Sequence, residues 1–137
     1  MMLIFMQFYW QKLPNGWPKE VLSDVENLTE EKIDEVLNQF LKDFKEGSLE
    51  NKDWLDNNLS AYIISKVALN AYTRVVARKY PSICINVVCP GFVKTDSTYN
   101  TGILTPDEGA ESVVRLALLH DGSPSGHFFV RNEEKPF

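Results

Sequence analysis

The apolar run ICINVVCPG, residues 83–91, constrains the fold of this chain more than any other feature. It is short and nearly unbroken, and it ends in Pro90-Gly91, which is the pattern of a β-strand buried on both faces. Segments with helical patterns stand on either side, from about Ser60 to Lys79 and from about Thr105 to Leu119. A buried strand between helices is typical of a parallel sheet covered by helices, so the sequence predicts the α/β class.

End signals define both flanking helices. Pro81 closes the first, because the residue before a proline is disfavoured in helical conformation. Thr105 is the expected N-cap of the second, with Pro106 at its first position and acidic residues in its first turn. Residues 92–102 are predicted as a loop, and a last strand is expected in GHFFVRN, residues 126–132. Ligands of parallel sheets bind at the carboxyl ends of the strands, so a site is expected at this loop.

The first part of the chain predicts one further helix between loops. Residues 1–10 are apolar and predict a strand or a buried segment, whereas residues 11–28 and 48–59 are predicted as loops. The helix begins after its N-cap, Thr29, and stops at Gly47. It carries one apolar stripe, for which packing within the chain is the simpler interpretation and a partner the alternative. The stripe consists of Ile33, Val36, Leu37, Phe40, Leu41 and Phe44.

Composition narrows the possible partners and the location. The 137 residues are enough for one domain, and a net charge of −5 with a pI near 5.0 argues against nucleic acid and anionic membranes as partners. The apolar N-terminus is too short to span a bilayer and lacks signal-peptide features.

Cys84 and Cys89 are spaced to lie on opposite faces of one strand, which disfavours a disulfide and indicates a reducing compartment, expected to be the cytoplasm. His120 and His127 stand alone, so no metal site is predicted.

Tyr62 and Lys66 are the candidate catalytic residues. Their spacing puts both on one face of the predicted helix, one turn apart. A free phenol has a pKa near about 10 and is a reluctant acid at neutral pH, but a neighbouring ammonium favours its ionised form. The pair could therefore serve as proton donor and acceptor in the interconversion of a carbonyl and an alcohol. The spacing by itself is a weak signal, and a packed tyrosine beside a lysine that reaches to solvent is the alternative.

The order of motifs along the chain is more specific. After Tyr62, Ser65 and Lys66 comes the buried strand that ends in Pro-Gly, and then FVKT, which closes with Thr95. This series closely resembles the short-chain dehydrogenase/reductases, whose signature is Tyr-x-x-x-Lys with a Ser before the Lys, followed by a strand that ends in Pro-Gly and then a Thr. The helical segment before Tyr62 resembles an insertion of the plant branch that contains salutaridine reductase and the neomenthol or menthone reductases. The likeness runs from about Lys12 to the C-terminus.

The resemblance implies a fold and an activity. The fold would be a partial Rossmann-type, doubly wound parallel sheet, the C-terminal half of the family fold, with an inserted helical segment. Residues 1–137 would form one partial domain, with an N-terminal segment of uncertain structure at 1–11, the insert at 12–59, and the Tyr-Lys helix, strand, helix and strand at 60–137. The activity would be NADP(H)-dependent reduction of a small, hydrophobic, terpenoid- or alkaloid-like ketone, or the reverse alcohol oxidation. The insert would cover a surface that other members use to oligomerise, so a monomer is expected.

The resemblance also assigns roles to individual residues. Tyr62 would protonate the carbonyl oxygen, and Lys66 would favour the ionised form of that phenol and bind the nicotinamide ribose. Pro90 and Gly91 would bend the chain beside the nicotinamide. The backbone of Val93 would bind the carboxamide, and the hydroxyl of Thr95 would bind the carboxamide or the pyrophosphate.

Two features that the family uses, a cofactor-binding turn and a catalytic serine, are not found in these residues. No G-x-x-x-G-x-G turn occurs, although such a turn receives the cofactor pyrophosphate. The family's catalytic serine belongs on the strand before the insert, where MMLIFMQFYWQ has none, and the first serine is Ser23. We therefore expect a truncated and impaired copy that binds NADPH poorly. The alternative is a non-catalytic remnant or interaction module that lacks cofactor binding and associates through an exposed sheet edge.

Overall fold

The computed structural model describes residues 2–5, 10–55, 58–120 and 122–136. The elements in chain order are β1 (Met2–Phe5), α1 (Trp17–Ser23), α2 (Glu30–Glu46), α3 (Ser60–Lys79), β2 (Ile85–Cys89), α4 (Pro106–Ala117), β3 (Phe128–Val130) and β4 (Glu133–Lys135). Short 3₁₀ turns occur at Trp10–Lys12, Leu49–Asn51 and Asp96–Thr98. The chain divides into two compact units within α3: a helical unit, Tyr9–Val75, and a sheet unit, Met1–Phe8 with Val76–Phe137.

The sheet unit is built on a four-stranded mixed sheet in the order β1-β2-β3-β4. β1, β2 and β3 are parallel, and β4 pairs antiparallel with β3. In this register Val87 of β2 lies beside Ile4 on one side and Phe128 on the other. Every residue of β2 is buried, as the apolar run predicts. Parallel strands joined by helices confirm the predicted α/β class.

One polar residue, Asn86, is fully buried in β2 because its amide is satisfied on both sides. Its Nδ2 donates to the backbone oxygen of Pro124 at 2.9 Å, and its Oδ1 accepts from the backbone N–H of His127 at 3.0 Å. Asn86 therefore joins β2 to the segment that leads into β3. Cys84 precedes the strand and Cys89 ends it, and both are free thiols.

The helical unit has its own apolar core, formed by α1, α2 and most of α3. A buried arginine side chain adds a polar link, because the guanidinium of Arg74 on α3 donates to the backbone oxygen of Leu22 on α1. The buried apolar residues of this core are Leu13, Leu22, Leu28, Ile33, Val36, Phe40, Leu49, Trp54, Ile63, Ile64, Val67, Ala68 and Ala71.

The predicted helix ends are confirmed. The Thr29 hydroxyl accepts a hydrogen bond from Lys32 N at 3.3 Å, and Gly47 closes α2 with φ at +66°, a left-handed conformation that glycine adopts readily. At the start of α4, Thr105 and Glu108 form a reciprocal capping box.

Other predictions need correction. The loop predicted for residues 11–28 contains α1, because Pro18 stands at the second helical position, where its missing N–H removes no helical bond. The last strand is shorter than predicted, and β4, which the sequence did not signal, follows it. The stripe on α2 is buried at Ile33, Val36 and Phe40, but Leu41 and Phe44 are half exposed.

Met2–Phe5 form β1, in agreement with the strand interpretation of the N-terminus, while residues 1 and 6–9 lie outside the described part of the chain. Among the described residues, none of the helices combines the length and apolarity needed to cross a bilayer.

Candidate active site

Tyr62 and Lys66 lie side by side on α3, within the helical unit. The Nζ atom of Lys66 is 5.5 Å from the centre of the Tyr62 ring. That separation falls in the range in which an ammonium is attracted to an aromatic ring. The predicted placement on one helix face is therefore present, while the catalytic roles stay predictions.

The packing of α3 fixes which face carries this pair. Ile63, Ile64 and Val67 are buried in the core of the helical unit, and their positions set the rotation of the helix about its axis. Tyr62 is 43% exposed and Lys66 is half-buried, so both lie beside the core rather than inside it. A phenol at the margin of a core is accessible to a ligand without any rearrangement of the core.

Ser65, the remaining polar residue of the motif, has a local role in the structure. Its hydroxyl donates to the backbone oxygen of Tyr62 at 2.7 Å. The bond stays within one helical turn, a common arrangement for serine in a helix.

The second group of predicted residues lies in the loop after β2, within the sheet unit. Gly91 has φ at +92°, a conformation that residues with a side chain rarely adopt. A Cβ atom at this position would also lie 2.7 Å from Cδ1 of Leu104. The bend predicted at Pro90-Gly91 is therefore present, and it needs glycine for its φ, whereas the Leu104 side chain could move away from an added methyl group.

The loop is held by its own backbone bonds. Val93 forms a parallel bridge with Leu104, in which Lys94 N–H donates to Leu104 O at 2.8 Å and Leu104 N–H donates to Phe92 O at 3.1 Å. In the part of the chain that the structure describes, the backbone N–H of Val93 takes part in none of these loop bonds. That N–H is a donor suited to a carbonyl oxygen of a ligand.

A cavity of about 320 Å³ lies between this loop and α4. Its walls include Pro90, Val93 and Thr95 from the loop, with Gly109 and Val113 from α4. A Cβ on Gly109 would lie 2.5 Å from Cγ2 of Val93, so glycine allows the close approach of α4 to the loop. Mostly apolar walls with a few polar groups are typical of a site for a small organic ligand.

Glu108, on the first turn of α4, is not suited to act as an acid here. The backbone N–H and the hydroxyl of Thr105 donate to its Oε2 at 2.8 and 3.0 Å. These bonds, with a smaller contribution from the charge of Arg131, hold the pKa of Glu108 below its usual value. The carboxylate stays ionised and caps the helix. Across the described residues, no group of three or more His, Cys, Asp or Glu side chains could hold a metal ion.

Sequence reasoning missed Gly102 and Leu104, which shape the loop from its far end. A Cβ on Gly102 would lie 2.1 Å from the carbonyl carbon of Val93, closer than any side chain could stand. The glycine in the loop sequence was the available signal, but its partner depends on how the loop folds back.

No model of a protein family matches the chain. Individual proteins do match it. Short-chain dehydrogenase/reductase 1 of Saponaria officinalis is 59% identical over 127 residues, covering 93% of this chain and 42% of that protein. The (+)-neomenthol dehydrogenase of Arabidopsis thaliana is 56% identical over 124 residues, covering 90% and 42%. Carbonyl reductase (NADPH) 1 of Rattus norvegicus is 34% identical over 120 residues, covering 82% and 42%.

Solved structures agree with these matches. Salutaridine reductase from Papaver somniferum superposes with a TM-score of 0.87 at 46% identity, covering 93% of this chain and 44% of that one. Menthone neomenthol reductase from Mentha piperita gives 0.78 at 44% identity, covering 96% and 40%. The chain thus spans about two fifths of the length of these relatives.

The matched structures confirm that the α/β sheet of this chain is part of a Rossmann-type fold. Plant members are more than half identical to this chain over about nine tenths of its length, and its backbone superposes on that of a solved plant reductase. This chain belongs to the short-chain dehydrogenase/reductase family, in the plant branch that includes the neomenthol and salutaridine reductases.

Proposed function

We propose that this chain carries the proton-transfer pair and the nicotinamide-side loop of an NADP(H)-dependent carbonyl reductase. The observation that carries the proposal is the position of Lys66 Nζ, 5.5 Å from the centre of the Tyr62 ring. A phenol becomes a useful acid and base when a cation lies beside it. The relatives are named as reductases and dehydrogenases, and the name of one of them specifies NADPH.

The chemistry divides between the cofactor and the side chains. Bound NADPH would supply the hydride that reduces the carbonyl carbon of the ketone. The Tyr62 hydroxyl gives its proton to the oxygen of that carbonyl, so the product is an alcohol. The Lys66 ammonium stabilises the phenolate that Tyr62 becomes, and it also donates to the nicotinamide ribose. In alcohol oxidation the same groups work in reverse, and the phenolate removes the hydroxyl proton.

The loop after β2 would hold the nicotinamide end of the cofactor. A carboxamide has one acceptor oxygen and one donor nitrogen. The Val93 N–H matches the oxygen, and the hydroxyl of Thr95 matches the nitrogen. The cavity beside these groups and the backbone bend at Gly91 support this assignment.

The substrate that we propose is a small, hydrophobic ketone of the terpenoid or alkaloid type, or the corresponding alcohol. The support comes from the matched relatives, which are named for neomenthol and salutaridine. We further propose that the chain lies in the cytoplasm, because its free cysteines suit a reducing compartment. We also propose a monomer, because the insert would cover a surface that other members of the family use to oligomerise.

The test uses a hybrid reductase, since these residues contain no G-x-x-x-G-x-G turn and NADPH affinity is expected to be weak without one. Residues 12–137 replace the matching segment of the Papaver somniferum salutaridine reductase, and reduction of salutaridine and menthone by NADPH is followed. The proposal expects turnover, which Lys66→Met lowers while raising the KM for NADPH. Lys79→Met, on the last turn of the same helix, is the control. A folded hybrid that binds NADPH but reduces no ketone would contradict the proposal.

A further inference from the structure

Thr98 occupies the centre of the loop that carries Val93 and Thr95. Its Oγ1 lies 2.7 Å from the backbone oxygen of Val93 and 3.0 Å from the backbone nitrogen of Thr95. The same oxygen is 3.0 Å from the Thr95 backbone oxygen and 3.4 Å from the Thr95 hydroxyl. One half-buried hydroxyl thus meets both residues that the proposed function assigns to the carboxamide.

The single proton of this hydroxyl decides how the contacts are used. Val93 O is the nearest acceptor, so Thr98 donates there, while Thr95 N–H donates to Thr98. With its proton given to Val93, Thr98 can only accept in the longer contact with the Thr95 hydroxyl. In the capping box the Thr98 backbone N–H donates to the Thr95 hydroxyl, which leaves one lone pair of that oxygen to accept from a ligand N–H.

The peptide between Val93 and Lys94 is clamped from opposite sides. Thr98 binds its carbonyl oxygen, and Leu104 O binds its N–H at 2.8 Å. Because a peptide is planar and trans, these two bonds fix its orientation. The Val93 N–H, which the loop bonds do not use within the described residues, belongs to the preceding peptide, whose carbonyl oxygen, Phe92 O, accepts from Ile103 N–H at 2.9 Å and from Leu104 N–H at 3.1 Å. Because the peptides on both sides of Val93 are held, the direction of its N–H is fixed.

We propose that Thr98 is a positioning residue, whose hydroxyl holds the backbone between Val93 and Thr95 so that the Val93 N–H and the Thr95 hydroxyl stand where a carboxamide can meet both. This inference rests on the proposed function of the loop. Thr98 itself touches neither substrate nor cofactor in this account. Its effect is preorganisation, because a loop already held in its binding conformation loses less freedom when the ligand arrives.

The test uses nuclear magnetic resonance of the full 137-residue chain with NADPH added to millimolar concentration, so that weak binding is measurable. Thr98→Val replaces the hydroxyl by a methyl group, and Thr98→Ser restores it. The matched control is Thr101→Val, since the Thr101 hydroxyl donates to Thr98 O at 2.6 Å in the same loop but is not bonded to Val93 or Thr95. Unchanged amide signals from β2 and β3 show that each variant is folded, and Thr98→Ala replaces Thr98→Val if the valine does not fit.

Two readouts are expected to change together. Thr98→Val should speed hydrogen exchange of the Thr95 amide by about tenfold or more and weaken NADPH binding by about tenfold, as the loss of two hydrogen bonds implies. Thr98→Ser and Thr101→Val should stay within about threefold of the wild type in both readouts.

The possible failures are distinguishable. If Thr98→Val changes neither readout, or changes exchange but not affinity, the positioning role is overturned and the proposed function stands. If NADPH moves no signal from Val93 or Thr95 in the wild-type chain, and none in the hybrid reductase either, the proposed function of the loop is overturned. The exchange data would then still report whether Thr98 holds the loop.

Discussion

Trp54 donates its indole N–H to Oδ2 of Asp43 across 2.8 Å, and both side chains are buried. The amide of Gln39 donates to the other carboxylate oxygen at 2.9 Å. The Trp54 bond contributes most to holding the pKa of Asp43 below its usual value, the Gln39 bond adds to it, and burial opposes both. The ionised carboxylate of Asp43 therefore links the end of α2 to the segment before α3 by hydrogen bonds.

Replacing Trp54 by Phe should make the stability of the helical unit less sensitive to a fall in pH. A carboxylate with a lowered pKa stabilises the fold above its unfolded pKa, and this contribution is lost as pH falls through the folded pKa. The stability advantage of the wild type over Trp54→Phe should be full near neutral pH and shrink as pH falls below about 4. Urea unfolding between neutral and acid pH measures it, with Trp17→Phe, at a half-exposed tryptophan, as the control. A pH-independent difference would contradict the role of Asp43.

Phe40 and Phe44 should differ sharply in what they contribute to stability, although both belong to the predicted stripe of α2. Phe40 is 4% exposed and meets the Trp54 ring edge-on at 5.2 Å between centroids, whereas Phe44 is 53% exposed. Phe40→Ala should lower the free energy of unfolding by roughly 3–5 kcal/mol. Phe44→Ala should cost less than about 1 kcal/mol. Equal losses in denaturant unfolding would mean that the α2 face is rotated from the position described.

Gly102→Ala should distort the loop after β2. A Cβ there would lie 2.1 Å from Val93 C and 2.2 Å from Lys94 N, and backbone atoms cannot yield without breaking the Lys94–Leu104 bond. The expected cost is roughly 1–3 kcal/mol, with shifted amide signals across residues 92–104. Gly122→Ala is the control, because nothing lies within 4 Å of its added methyl and only its φ of +86° is strained. Unchanged loop signals in Gly102→Ala would show that the loop is not packed as described.

The sequence predicts those parts of the fold that local chemistry decides. Thr29, Gly47 and Thr105 mark helix ends correctly because capping uses groups within one turn. The strand at residues 85–89 is predicted because burial on both faces needs an apolar run.

The missed elements depend on contacts that are distant in sequence or on an unrecognised exception. The prolines and Gly16 of this segment are typical of a loop, which is why α1 is not predicted. Pro18 is nevertheless compatible with the helix, because it stands in the first turn. The charged segment Glu133–Lys135 has no strand propensity and becomes β4 only by pairing with β3.

The candidate site divides in the same way. The helical period alone brings Tyr62 and Lys66 together, so their contact could be predicted. The bonds of Thr98 and Leu104 to the loop could not, because they arise when residues 92–104 fold back on themselves.

The most direct test of the central claim is kcat/KM for ketone reduction by the hybrid reductase carrying Tyr62→Phe. Tyr72→Phe is the matched control, since Tyr72 lies on the same helix with 38% exposure and has valine, not lysine, four residues on. Loss of a general acid predicts a fall of about 10²–10⁴-fold for Tyr62→Phe and less than about threefold for Tyr72→Phe. A Tyr62→Phe hybrid that reduces ketones as fast as the parent hybrid would contradict the account.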